Sequence, residues 1–168
     1  MNSTVTLNII RFILLFALQI LVFNNMELFN FINPFPYILF ILLFPINGNK
    51  AFLIICSFLL GLGMDMFENS GGVHAAACVI LAYYREDLLK FSYGISYEYH
   101  TIKITDKISK ELFTYLLIGV LLHHTILFGL EIFRFNFIWE ILLRTLLTTL
   151  FTLILCILII YLIKPSKK

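Results

Sequence analysis

The chain has 168 residues, 61% of them apolar, 16% aromatic and only 13% charged, with a formal net charge of +2 and a mean hydropathy of +0.97. A soluble domain is about 45–50% apolar and about 25% charged, so a soluble chain of this length has no way to hide so much apolar surface. The composition predicts a single all-α membrane domain over residues 1–168 with no second, soluble core, and so small a net charge gives no reason to expect a nucleic-acid partner.

Six apolar runs follow one another: 7–23, 34–45, 51–66, 73–84, 112–129 and 138–163. A full membrane span takes about 20 residues. The second, third and fourth runs are shorter, and either cross with their polar flanks included or lie tilted among the others. A re-entrant second or fourth run is the alternative. Loop charge separates these cases, because cytoplasmic loops collect Lys and Arg. Lys50 lies between runs two and three, Arg85, Lys90, Lys103, Lys107 and Lys110 between four and five, and Lys164, Lys167 and Lys168 after run six. The remaining connections carry Glu27, Glu68 and the opposed charges Glu131 and Arg134. This alternation predicts six transmembrane helices with both termini cytoplasmic.

The first run is expected to stay in the mature chain. No Lys or Arg precedes Arg11, and Asn24-Asn25 stands where a small-x-small cleavage site would be needed. At the second run, Pro34 and Pro36 suit a helix start and Asn33 an N-cap.

Runs three and four carry the strongest pattern. Ser57, Gly61 and Asp65 are spaced by four and share a face of helix three; His74, Cys78 and Ala82 do the same on helix four, among Ala75, Ala76 and Ala77. The turn Asn69-Ser70-Gly71-Gly72 makes the two helices antiparallel and brings Asp65 to His74. Ionisable groups at membrane depth mark either a site or a structural lock. Asp65 and His74 fit a proton or ligand site, or a lock that pins the hairpin through Ser57, Gly61, Asp65, Gly71, Gly72 and His74. A metal needs three or four ligands, and this region offers His74, Asp65 and Glu68, so no metal is expected. Ser57 and Ser70 have no motif of a nucleophile beside a base. With no P-loop and no paired carboxylates for diphosphate, neither an enzyme nor a cofactor is expected.

Residues 85–111 form the only long polar stretch, with Tyr93, Tyr97 and Tyr99 among the lysines. It reads equally as an interfacial amphipathic segment or as a solvated loop with helical extensions. On helix five, His123 and His124 are followed by Glu131, and a polar seam buried against another helix is expected there. A proton path would need more titratable groups at mid-depth. On helix six, Glu140, Arg144, Thr148 and Thr152 repeat every four residues. Glu140 and Arg144 can pair, and the threonines form a polar stripe suited to protein contact. Cys56, Cys78 and Cys156 lie in apolar runs and read as small packing residues.

Taken in order, three blocks resemble the rod shape-determining MreD family in its Bacteroidetes form. The first is Gln19-Ile-Leu-Val-Phe-Asn24-Asn25 with Ile32-Asn33-Pro34-Phe-Pro-Tyr37-Ile-Leu-Phe40. The second is Gly61-x-x-x-Asp65 with Gly71-Gly72-Val-His74-Ala, and the third His123-His124-x-x-Leu127-Phe128-x-x-Glu131-x-Phe133. The resemblance covers about residues 10–135; helix six agrees only in being apolar. The resemblance implies a non-enzymatic inner-membrane subunit of the cell-elongation machinery. Its direct partner would be MreC, and through MreC it would join MreB, RodA and a class B penicillin-binding protein. It also implies a fold similar to the substrate-binding subunits of energy-coupling-factor vitamin transporters, which leaves a vitamin-binding subunit as the alternative function. The partner surface is expected on Thr145, Thr148 and Thr152 with the outer loop at Asn136.

Overall fold

Leu-, Ile- and Phe-rich runs with few breakers form long helices once their backbone polar groups must be satisfied without water. The computed structural model describes residues 3–26, 32–94, 97, 108–132 and 138–163. The long helices are α1 (Ser3–Leu21), α3 (Lys50–Glu68), α4 (Val73–Tyr93), α5 (Lys110–Ile132) and α6 (Ile138–Ile163). Four segments are long and apolar enough to cross a membrane: Val5–Asn25, α3, α5 and α6. The helix α4 is apolar only in its first half, and then carries Arg85, Glu86, Asp87 and Lys90.

The second run departs from the expected helix. It forms a 3-10 turn, Pro36–Ile38, followed by the single-turn helix α2 (Leu39–Leu42). Pro34, Pro36 and Pro45 each lack an amide donor and restrict the residue before them, so a long helix is unfavourable here. The segment is not presented to lipid either, since every residue from Pro34 to Phe44 is buried. It threads the middle of the bundle. The longer helices α3, α4, α5 and α6 pack in chain order, and α1 closes against α2 and α3.

A broken helix in an apolar bundle leaves main-chain groups that only side chains can satisfy. At the start of the segment, the Phe35 amide donates to Thr152 Oγ1 at 3.1 Å and the Tyr37 amide to Gln19 Oε1 at 3.4 Å. Gln19 Nε2 donates in turn to the Pro34 carbonyl at 2.9 Å. Asn33 is therefore not the cap; its Oδ1 is buried without a partner. At the other end, the Tyr115 hydroxyl donates to the Leu42 carbonyl at 2.9 Å, Arg11 Nη1 to the Leu43 carbonyl at 2.8 Å, and Arg85 Nη2 to the Phe44 carbonyl. Arg85, counted above as a loop charge, is thus buried, and its cation complements the negative C-terminal end of α2. Beyond it α4 runs two turns further. There Lys90 pairs with Glu86 at 3.2 Å and lies over the Tyr97 ring, and the hydrogen bonds from Lys90 and Tyr97 hold the Glu86 carboxyl below its ordinary range. The rest of the 85–111 stretch, Tyr99 included, lies largely outside the described residues.

The α3–α4 hairpin is set by backbone conformation. Asn69 takes a left-handed conformation at φ 53°, and Gly71 and Gly72 follow at φ 70° and 99°. Glycine reaches that region without steric cost and Asn tolerates it, which is why this short turn needs them.

Candidate functional site

Asp65 lies 6% exposed near the end of α3, directly below the turn. Its Oδ1 accepts from the Ser70 hydroxyl at 2.5 Å and from the His74 amide at 3.0 Å, and its Oδ2 accepts from the Ala75 amide at 2.9 Å. The carboxylate therefore caps the first turn of α4, where unpaired amides and the helix dipole both favour negative charge. The Asp65–His74 contact expected from the hairpin exists, but it reaches the main chain of His74 and not its ring. Ser57 and Gly61 lie on the same buried face of α3, with the backbone of α4 directly against Gly61.

The His74 ring faces elsewhere. Its Nε2 is 2.9 Å from Glu68 Oε2, and its Nδ1 is 2.9 Å from the Tyr37 hydroxyl. The same hydroxyl is 3.0 Å from His123 Nε2. A Glu68–His74–Tyr37–His123 chain results, drawn from α3, α4, the 3-10 turn and α5. One arrangement uses each proton once: His74 Nε2–H donates to the carboxylate, the Tyr37 hydroxyl to His74 Nδ1, and His123 Nε2–H to the Tyr37 oxygen. Cys78 Sγ stands 3.8 Å from both Tyr37 Oη and His123 Nε2. The chain stops at His123 Nδ1, which has no partner. One and two turns back along α5 the interior is Val120 and Leu116, both fully buried. Protons could exchange along this chain from the Glu68 end into the core, but among the described residues no polar path continues to the far end.

His124, beside it, turns toward α6, with Nδ1 3.1 Å from Thr149 Oγ1. The pair His123 and His124 is completely buried, as a seam between helices requires. Glu131 is not part of that seam. It is exposed at the end of α5 and pairs with Arg144 at 3.3 Å, so Arg144 binds across to α5 in place of the expected partner Glu140.

The threonine stripe corrects another expectation. Thr145, Thr148 and Thr152 are 4%, 0% and 0% exposed. They face the interior of this chain, where Thr152 serves Phe35, and so offer no surface to a partner. The outward face of α6 is Leu142, Leu146, Leu150, Ile154 and Leu158. Asn136, the other residue expected at a partner surface, lies outside the described residues.

Among the described residues, two cavities of ligand size are formed. The larger, about 910 Å³, is an apolar groove between α1 and α3, lined by Phe12, Phe44, Phe52 and Leu59. The smaller, about 400 Å³, is polar and opens at the Glu68 end of the bundle. Asn33, Glu68, His74, Glu131 and Arg144 line it, with Phe35 and Phe128 as apolar wall. Polar groups converging on a cavity of a few hundred Å³ are the usual mark of a binding site, and this cavity is where the buried chain reaches the surface.

Sequence reasoning overlooked Tyr37 as the hub, Thr149, and the main-chain partners Arg11, Arg85 and Tyr115. Arg11 carried a usable signal, being a charge inside an apolar run. Tyr37 carried none in spacing or periodicity, only its place in the first resemblance block. Comparison with protein-family models, curated proteins and solved structures returns no match for this chain.

Proposed function

We propose that this chain is a non-enzymatic, multi-pass subunit of the rod-shape complex in the bacterial inner membrane, binding MreC and supporting peptidoglycan synthesis and cell-shape control. The observation that carries this reading is the convergence of the three blocks that resemble MreD. Gln19 and Tyr37 from the first, Glu68 and His74 around the second, and His123 from the third meet in one buried network. Residues scattered over more than a hundred positions serve a shared core, as expected of blocks that define one family's fold. An affinity-tagged chain should retain MreC through mild detergent extraction from membranes containing both. Recovery of the folded chain without MreC would count against the assignment.

The same reading places six crossings in the bilayer, counting α4 and the broken second segment, with both termini in the cytoplasm. Charge distribution supports it. Lys50 lies over the Tyr83 ring at the end of the bundle where α4 carries Lys90, whereas Glu68 and Glu131 share the cavity at the other end. In a cysteine-free background, Leu28→Cys should react with an impermeant thiol reagent added outside, and His100→Cys should not. The reverse pattern would invert the topology.

A second reading, a small-molecule-binding subunit similar to those of energy-coupling-factor transporters, is favoured by one observation, the polar cavity at the Glu68 end. Such a subunit should carry a bound small molecule through purification, detectable by mass spectrometry of an organic extract.

A further inference from the structure

We propose that the apolar groove between α1 and α3 seats one anionic phospholipid from the leaflet at the Lys50 end, with its phosphate on Arg11 and an acyl chain along the groove. Such a site needs the chain to lie in a bilayer and depends on neither reading of its function.

Arg11 stands inside the first apolar run, where a charge is costly and marks a site. It is half-buried and lines the groove. A guanidinium carries five N–H donors. Among the described residues Arg11 uses one hydrogen bond, from Nη1 to the Leu43 carbonyl at 2.8 Å. Its Nε and Nη2 keep accessible surface, whereas Arg85 Nε is enclosed. A carbonyl satisfies a donor but leaves the charge in place. Arg85 ends on the next carbonyl, Phe44, and among the described residues no carboxylate pairs with either arginine. Two cations thus meet at this end of the groove without a counter-charge. Phosphate suits the accessible one, because Arg binds phosphate oxygens through paired, charge-assisted hydrogen bonds. Asn8 and Asn47 also line the groove and offer amide donors. An ethanolamine headgroup would add an ammonium that the two arginines repel, so a headgroup with net negative charge is preferred.

The shape of the groove fits a lipid chain better than a partner helix. Its wall on α3 runs from the cap Asn49 to Leu59, about 15 Å of helix, half of a hydrocarbon core about 30 Å thick. That is the depth of one leaflet. Beyond Leu59 the two helices are closed by Phe16, whose ring lies 6.1 Å from that of Phe67 and would meet a Cβ on Gly63 at 2.7 Å. A transmembrane helix would need the groove open across the whole membrane. Phe52 and Leu59 line the groove and are 56% and 54% exposed, so it is open along its side and a chain enters laterally. Its volume of about 910 Å³ lies within the range of pockets that hold a ligand.

The probes are dioleoyl phosphatidylglycerol, dioleoyl phosphatidylethanolamine and the deacylated headgroup glycerophosphoglycerol. Purified full-length protein in mild detergent is titrated with each, retained copies are counted by native mass spectrometry, and melting is followed in parallel. One phosphatidylglycerol per chain should be retained and raise the melting temperature. Phosphatidylethanolamine should bind about tenfold more weakly, and the deacylated headgroup should leave melting unchanged. Arg11→Gln keeps an amide donor for the Leu43 carbonyl but no charge, so it should weaken phosphatidylglycerol about tenfold, whereas Arg11→Lys should keep the headgroup preference. Cys56 lines the groove, so Cys56→Trp should fill it and release the lipid with Arg11 intact. Lys90→Gln removes an exposed cation away from the groove and should change nothing. Melting of lipid-free protein checks that each variant folds; should Arg11→Gln not fold, the headgroup series and Cys56→Trp decide. Equal retention of the two phospholipids, uptake of many copies without a saturable first, or unchanged affinity in a folded Arg11→Gln or Cys56→Trp would each overturn the proposal. Loss of MreC retention in Cys56→Trp with phosphatidylglycerol still bound would overturn it by giving the groove to a protein partner.

Discussion

Gly61→Leu is expected to leave almost no folded protein. A Cβ at Gly61 would stand 2.5 Å from Ala75 Cα, 2.6 Å from the His74 carbonyl oxygen and 2.7 Å from the Ala75 amide nitrogen. All three are backbone atoms of α4, so no side chain can swing away and the helices themselves must part. Overpacking a core costs about 1–3 kcal/mol where neighbours can adjust, and more where they cannot. Parting α3 from α4 also withdraws Asp65 from the amides it caps, so the two losses add. Gly61→Ala should fall between the parent and Gly61→Leu. Gly129→Ala is the control, because nothing lies within 4 Å of an added Cβ there. The measurement is the amount and melting temperature of monodisperse protein after detergent extraction. A Gly61→Leu variant that melts with the parent would show that the hairpin is not packed as described.

Gly61 also shows how far the sequence could be read. Its spacing from Ser57 and Asp65, with the Asn-Ser-Gly-Gly turn, was enough to place the tight hairpin, because helical period and turn chemistry are local properties. Long helices were legible for the same reason. The second run was not, because its shape depends on partners distant in sequence. Pro34 and Pro36 read locally as a helix start, whereas Gln19, Thr152, Arg11, Tyr115 and Arg85 around its main chain make a broken segment tolerable in the bundle. Those five residues come from four helices, and nothing in their spacing announces a shared task. The threonine stripe failed differently. Periodicity said that Thr145, Thr148 and Thr152 share a face, but not whether that face meets a partner or the chain's own core. The polar cavity lay beyond sequence for a related reason, since Asn33, Glu68, Glu131 and Arg144 become neighbours only when α3, α5, α6 and the second segment close together.

Asp65→Leu should cost nearly as much as Gly61→Leu, and Asp65→Asn distinctly less. The carboxylate accepts from the Ser70 hydroxyl and from the His74 and Ala75 amides. Leucine satisfies none of them. The hydroxyl can turn to water at the turn, but the two amides sit at the buried start of α4 with no other acceptor in reach. A buried donor left unpaired costs about 1–3 kcal/mol, so two bring the loss to about 2–6 kcal/mol. That is a large share of the 5–15 kcal/mol that typically holds a domain together. Asparagine keeps one oxygen for the His74 amide and the Ser70 hydroxyl, but turns an NH₂ toward the Ala75 amide and gives up the favourable charge at the helix start. A loss of about 1–3 kcal/mol follows for Asn. Melting in matched detergent checks the order parent, Asn, Leu. MreC retention, measured in the Asn variant, separates support from chemistry, because Asp65 does not line the polar cavity and acts on it only by placing His74. If Asp65 is a lock, MreC retention by Asp65→Asn should recover as temperature is lowered and the fold is restored. Should both variants melt with the parent while binding is abolished, Asp65 would belong to the site itself, and the hairpin would owe its geometry to Gly61, Gly71 and Gly72 alone.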